Sequence, residues 1–128
     1  MTAPGLAQPI ALSLNPALAR RQLEDLLSMA HLTVDADGVV LALHEAIVNA
    51  QCHGGGGVRA EAVVEQSELV IQVWDRGPGF DLPPYSSRPP DPMSERGRGI
   101  WLITRVASAC EVHHGHDGAS LVMRFARR

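Results

Sequence analysis

LALHEAIVNAQCHG, residues 41–54, places apolar side chains at helical spacing and ends on glycine. Val40, Leu43, Ile47 and Ala50 make one stripe of a helix that starts in DGVV and runs to His53. The run Gly54 to Gly57 stops it. Glu45 and Asn49 are one helical turn apart and share a face roughly opposite that stripe. His53 extends the same face as a helix-end residue. Taken alone, the Glu45/Asn49 pair reads as a polar helix face in water, because exposed glutamate and asparagine are commonplace.

On the N-terminal side, Thr33 or Asp35 is placed to cap this helix. Before it, Asn15-Pro16 reads as an N-cap followed by proline at the first helical position, opening a helix through ALARRQLEDLLSMAH. Ile10, Leu12 and Leu14 alternate with small or polar residues and predict a short strand. Residues 1–9 contain glycine and proline and are expected to be flexible.

On the C-terminal side, Val58, Ala60, Ala62 and Val64 alternate with Arg59, Glu61 and Glu65, the pattern of a half-buried strand. Gln66-Ser67 is a turn into ELVIQVWD, an apolar strand suited to the middle of a sheet. Six of the nine prolines then fall between Pro78 and Pro92, so 76–96 is a long loop, and long loops in compact domains carry function. Gly97 to Ala109 predicts a third helix with Ile100, Ile103 and Ala107 on one side. CEVHH and SLVMRFA form a hairpin about Asp117-Gly118. The order is β-α-α-β-β-loop-α-β-β. It predicts an α+β, two-layer sandwich with about three helices on one face of a mixed, mostly antiparallel sheet.

Composition narrows the function. The 128 residues fit one domain, and a net charge of −3 gives no general attraction to nucleic acid or to an anionic membrane. The chain contains no lysine; all 11 basic residues are arginine. A phosphate-loop lysine is therefore excluded, and any cationic phosphate contact must be an arginine. The start, MTAPGLAQP, does not read as a secretory signal, and no apolar run is long enough to span a membrane. Cys52 and Cys110 read as reduced thiols in a cytoplasmic protein. His113, His114 and His116 flank a turn, but neighbours on a strand point to opposite faces, so they read as surface hairpin residues and not as a metal site.

Two further motifs accompany the Glu45/Asn49 helix. Asp75-Arg76-Gly77-Pro78-Gly79-Phe80 directly follows an apolar strand. A carboxylate at a strand end can accept from an exocyclic amino group, and glycines permit close approach of a flat base; the same letters also make a good plain turn. Gly97-Arg98-Gly99 opens a helix whose bare N–H groups could hold an anion, or simply form a flexible exit from the loop.

In this order, EAIVN, DRGPGF and GRG resemble the N, G1 and G2 boxes of the GHKL (Bergerat-fold) ATPase superfamily. LALHEAIVNAQCHG, VWDRGPGF and ERGRGIWLITRVAS look like the short bacterial anti-sigma factor serine/threonine kinases, over residues 10–126 as one domain. The resemblance implies an ATP-Mg²⁺ site. Glu45 would be the catalytic base and Asn49 the Mg²⁺ ligand. Asp75 would read the adenine amino group, with Gly77 and Gly79 lining the base. Gly97 and Gly99 would wrap the phosphates, and an ATP lid would span about 80–96. Arg96 and Arg98 would be the cationic phosphate contacts, with Arg105 a weaker one. The family's partner-binding arginine on the first helix could be matched by Arg20 or Arg21, although a charged surface face serves either. The loop after the N box is short for the family.

The implied partners are a sigma factor and an anti-anti-sigma protein of the STAS type, with homodimerisation through the sheet or first helix and no direct nucleic-acid contact. Two alternatives stay open. One is a catalytically silent module that sequesters a partner in an ATP-dependent way. The other is a detached ATPase lobe of a two-component histidine kinase, against which stand the short stretch before Glu45 and the absence of a long helix there.

Overall fold

The computed structural model describes residues 8–82 and 97–128. Its elements are β1 (Ile10–Leu12), α1 (Pro16–Met29), α2 (Ala36–His53), β2 (Arg59–Glu65), β3 (Glu68–Asp75), α3 (Gly97–Val106), β4 (Ala109–Gly115) and β5 (Gly118–Ala126). This is the α+β order read from the sequence. The five strands form one sheet in the order β1-β2-β3-β5-β4.

Local chemistry sets the helix ends. The Asn15 side chain accepts from the backbone N–H groups of Ala17 and Leu18, at 3.0 and 3.2 Å. Asp35 does the same for Gly38 at 3.2 Å, so it caps α2, and Thr33 does not. Arg20 reaches from α1 to Asp37 at 3.0 Å, an exposed pair that joins the two helices. α3 ends at Val106, three residues earlier than the apolar pattern suggests. Ser108 has already joined the sheet: its N–H donates to the Arg124 carbonyl at 2.7 Å, and its hydroxyl accepts from Ala126 N–H at 2.9 Å. Leu14 likewise lies beyond β1 and is exposed.

Every pairing among the described strands is antiparallel, so the sheet expected to be mixed but mostly antiparallel is antiparallel throughout them. The crossover through α3 does set β4 parallel to β3. The β4–β5 hairpin then inserts β5 between them, so that parallel relation is never hydrogen-bonded. The core lies between the sheet and the helices, with Leu23, Leu69, Ile71, Ile100, Ile103 and Met123 fully buried. Ala42, Ala46 and Ala50 are buried beside Leu43 and Ile47, so the hidden face of α2 is wider than the stripe in the sequence. Small alanines there let α2 approach its neighbours closely.

The β2–β3 hairpin closes on Gln66 and Ser67, whose φ values are +48° and +71°. Two consecutive left-handed residues define a type I′ turn, which asparagine and glycine occupy with less strain. Replacing Gln66-Ser67 by Asn-Gly should stabilise the fold by about 1 kcal/mol, raising Tm by roughly 3–5 °C. Thermal unfolding followed by circular dichroism checks this; an unchanged or lower Tm would contradict it.

Candidate functional site

Three elements meet at one end of the sheet. α2 brings Glu45 and Asn49, both half-buried. A side chain on Gly99, in the first turn of α3, would stand 2.7 Å from the Glu45 carboxylate oxygen Oε2, so the bare α-carbon of Gly99 is what admits that carboxylate. The Glu45/Asn49 face is thus turned toward the third helix and is not the freely solvated face that its composition allows. Neither the Glu45 carboxylate nor the Asn49 carboxamide makes a hydrogen bond or ion pair among the described residues. Half-buried polar groups left in this state are available to a ligand.

β3 ends on Asp75, whose Oδ1 accepts from Gly77 N–H at 2.6 Å. The glycine tail of α2 presses on this carboxylate: a Cβ on Gly54 would lie 2.5 Å from Asp75 Cγ, and one on Gly77 would lie 2.9 Å from Oδ1. The Arg76 N–H donates to the Gly56 carbonyl at 2.9 Å. The four-glycine run therefore does more than stop a helix. It is the strip of backbone against which the loop 75–79 is moulded, a role the sequence signalled only as a helix terminator.

Asn49 and Asp75 share a cavity with Gly79, Phe80, Val112 and Leu121. Its volume is only about 20 Å³, room for about one water molecule. Phe80 lines it, and Phe80 and Leu82 both pack on the core. A purine is far larger than this space, so admitting one requires lining side chains to move. A larger hollow of about 550 Å³ lies beyond the strand ends, mainly on the helix-free face of the sheet, between Arg59, Trp74, His113 and Ser120. It holds neither Glu45 nor Asn49, and its Arg59 guanidinium is stacked on Trp74 at 4.0 Å.

Arg98 stands exposed in the first turn of α3 with no ion pair among the described residues. Gly97 opens that helix, where the first N–H groups lack helical acceptors. Arg105, further along, stacks over Trp101 at 5.7 Å. Arg96 and the expected lid beyond Leu82 lie outside the described residues. Among the described residues no group of three His, Cys, Asp or Glu could hold a metal ion, so a cation here would depend on ligand oxygens beside Asn49. One hydrogen bond was not legible in the sequence: His114, read as a surface hairpin residue, has its Nδ1 2.9 Å from the Pro78 carbonyl oxygen.

Both thiols are free, Cys52 exposed and Cys110 partly buried on β4. Burial pushes the Cys110 pKa up to about 11. At about pH 8, alkylation should modify Cys52 rapidly and Cys110 slowly, read by mass spectrometry; equal rates would contradict it. Because the folded value lies above the ordinary 9.0, the thiol's contribution to stability is intact below about pH 9 and is lost as pH rises toward 11.

A carboxylate and a carboxamide from one helix, a strand-end aspartate and a glycine-opened helix thus meet at one end of the sheet. The chain belongs to the histidine kinase-like ATPase domain family, whose model matches residues 11–125. It is 37% identical over 105 residues to the anti-sigma F factor of Clostridium acetobutylicum, covering 73% of this chain and 72% of that protein. In fold it is similar to the structure of the RsbU and RsbW domains of Rv1364c from Mycobacterium tuberculosis, with a TM-score of 0.61 at 19% identity over 98% of this chain and 33% of that one. The chain thus spans about a third of that solved structure. The Acinetobacter baumannii histidine kinase AdeS shares the fold too, with a TM-score of 0.56 at 15% identity over 94% of this chain and 68% of that one. The family and fold read from the three boxes are borne out, and the likenesses support an ATPase-type anti-sigma regulator.

Proposed function

We propose that this chain is an anti-sigma factor serine/threonine kinase: it binds ATP with Mg²⁺ in the cleft between α2, β3 and α3 and phosphorylates a serine or threonine of a STAS-type anti-anti-sigma protein. The observation that carries this reading is the unpaired Glu45 carboxylate set against Gly99 at the start of α3, one turn from Asn49 in the Asp75 cavity. The likeness to an anti-sigma F factor supports the partner class.

Each residue has a task in this reading. Asp75 accepts from the adenine amino group with the oxygen that Gly77 does not occupy. The first N–H groups of α3 receive phosphate oxygens, and Arg98 and Arg96 add charge that only arginine can supply here. Asn49 offers its side-chain oxygen to Mg²⁺, a cation that keeps several waters and needs few protein ligands. When bound, Mg²⁺ offsets the charge on the phosphate oxygens. Glu45 takes the proton of the partner's hydroxyl while its oxygen bonds to the γ-phosphorus; the bond from that phosphorus to the bridging oxygen breaks, and ADP leaves.

Sequestering of a sigma factor by a homodimer in the cytoplasm completes the proposal. The test is transfer of label from γ-labelled ATP to a cognate anti-anti-sigma protein. Transfer that needs Mg²⁺ and stops in Glu45→Ala supports the kinase. A partner retained equally by wild type and Glu45→Ala, with no label in either, would establish the silent sequestering module instead.

A further inference from the structure

We propose that His114 is a positioning residue for the loop that carries Asp75, clamping it from the far strand so that the base-reading carboxylate is held in place. This rests on the nucleotide site proposed above.

Alternation along β4 sends Val112 and His114 to the helix side of the sheet, and His114 pairs with Ala119 on β5, directly beside the Asp75 loop. Its Nδ1 lies 2.9 Å from the Pro78 carbonyl oxygen. A carbonyl oxygen only accepts, so Nδ1 must carry the proton, in either the neutral Nδ1–H tautomer or the imidazolium. The same ring lies on Gly79: a Cβ there would stand 2.8 Å from both Nδ1 and Cε1. Gly79, at φ +80°, is therefore required by the imidazole as much as by any ligand.

Two further contacts act on the first half of the loop. Asp75 Oδ1 accepts from Gly77 N–H at 2.6 Å, and Arg76 N–H donates to the Gly56 carbonyl at 2.9 Å. His114 acts on the second half, at Pro78 and Gly79, next to Phe80, which packs on the core. Without it, the turn at Pro78 and Gly79 gains freedom beside Asp75, which raises the ordering cost of binding a base.

The test uses the intact chain and ATP. His114→Ala should weaken ATP binding about 3- to 10-fold in calorimetry, the loss of one partly exposed hydrogen bond. His114→Asn places an amide N–H near the Nδ1 position and should return affinity to within about twofold of wild type. His114→Gln extends its amide toward the Nε2 position and should not. Nitrogen-15 NMR of the wild-type imidazole, which needs neither a variant nor ATP, should show Nδ1 protonated. A neutral Nε2–H tautomer, or Ala, Asn and Gln variants all binding like wild type, would overturn the positioning role while leaving the ATP site standing. Wild-type protein with no ATP affinity but a protonated Nδ1 would instead remove the nucleotide reading, and the role assigned to His114 with it.

Discussion

Glu45→Gln should leave ATP affinity within about twofold of wild type and lower phosphoryl transfer to the partner by roughly 10²- to 10⁴-fold, the usual worth of a general base. Glutamine suits the question better than alanine. The Glu45 carboxylate lies against the α-carbon of Gly99, so truncation would open a gap between α2 and α3 and mix packing with chemistry. Glutamine keeps the volume and removes the proton acceptor. Because Glu45 makes no ion pair among the described residues, the neutral side chain orphans no buried cation and the fold should hold its Tm. The measurement is single-turnover transfer from γ-labelled ATP beside a calorimetric titration. Equal losses in affinity and rate would mean that Glu45 holds the nucleotide; an unchanged rate would remove it from the chemistry altogether.

The same contact explains why the polar face of α2 could not be assigned from periodicity alone. Glu45 and Asn49 sit where an exposed face belongs, and helical spacing says nothing about which later element covers it. α3 begins 52 residues after Glu45, with the expected lid between them. Only the matched order of EAIVN, DRGPGF and GRG predicted that they meet. By contrast, β3 was legible to the residue, since an uninterrupted apolar run ending on aspartate specifies both a central strand and its exit.

What the sequence withheld follows from two limits. Strand order depends on which hairpin inserts where, and local patterning is silent on that; hence the sequence reached only a mixed, mostly antiparallel sheet, and the placing of β5 beside β3 makes its pairings antiparallel. Side chains acting across strands are equally hidden. His114 and Gly54 look like a hairpin residue and a helix stop, and only the register His114↔Ala119 and the nearness of Gly54 to Asp75 give them work. The free volume of the cavity is also unreadable, because it depends on where Phe80 rests.

Asp75→Asn should reduce ATP affinity at least tenfold, toward a hundredfold, and reduce or invert the preference for ATP over GTP. The carbonyl oxygen of asparagine can still accept from Gly77 N–H, now at 2.6 Å to Oδ1, so the loop keeps its internal tie and the effect is confined to the outward atom. In aspartate that atom accepts; in asparagine it becomes an NH₂ that donates. An adenine amino group would then face a donor, and the buried mismatch costs more than the lost bond. The guanine carbonyl, an acceptor, would find a partner where it previously met a carboxylate. Calorimetric titration with ATP and GTP, with and without Mg²⁺, separates these effects. If Asp75→Asn bound ATP as tightly as wild type, the base would have to be read elsewhere, and the small cavity lined by Phe80 would be packing space and not the floor of a nucleotide site.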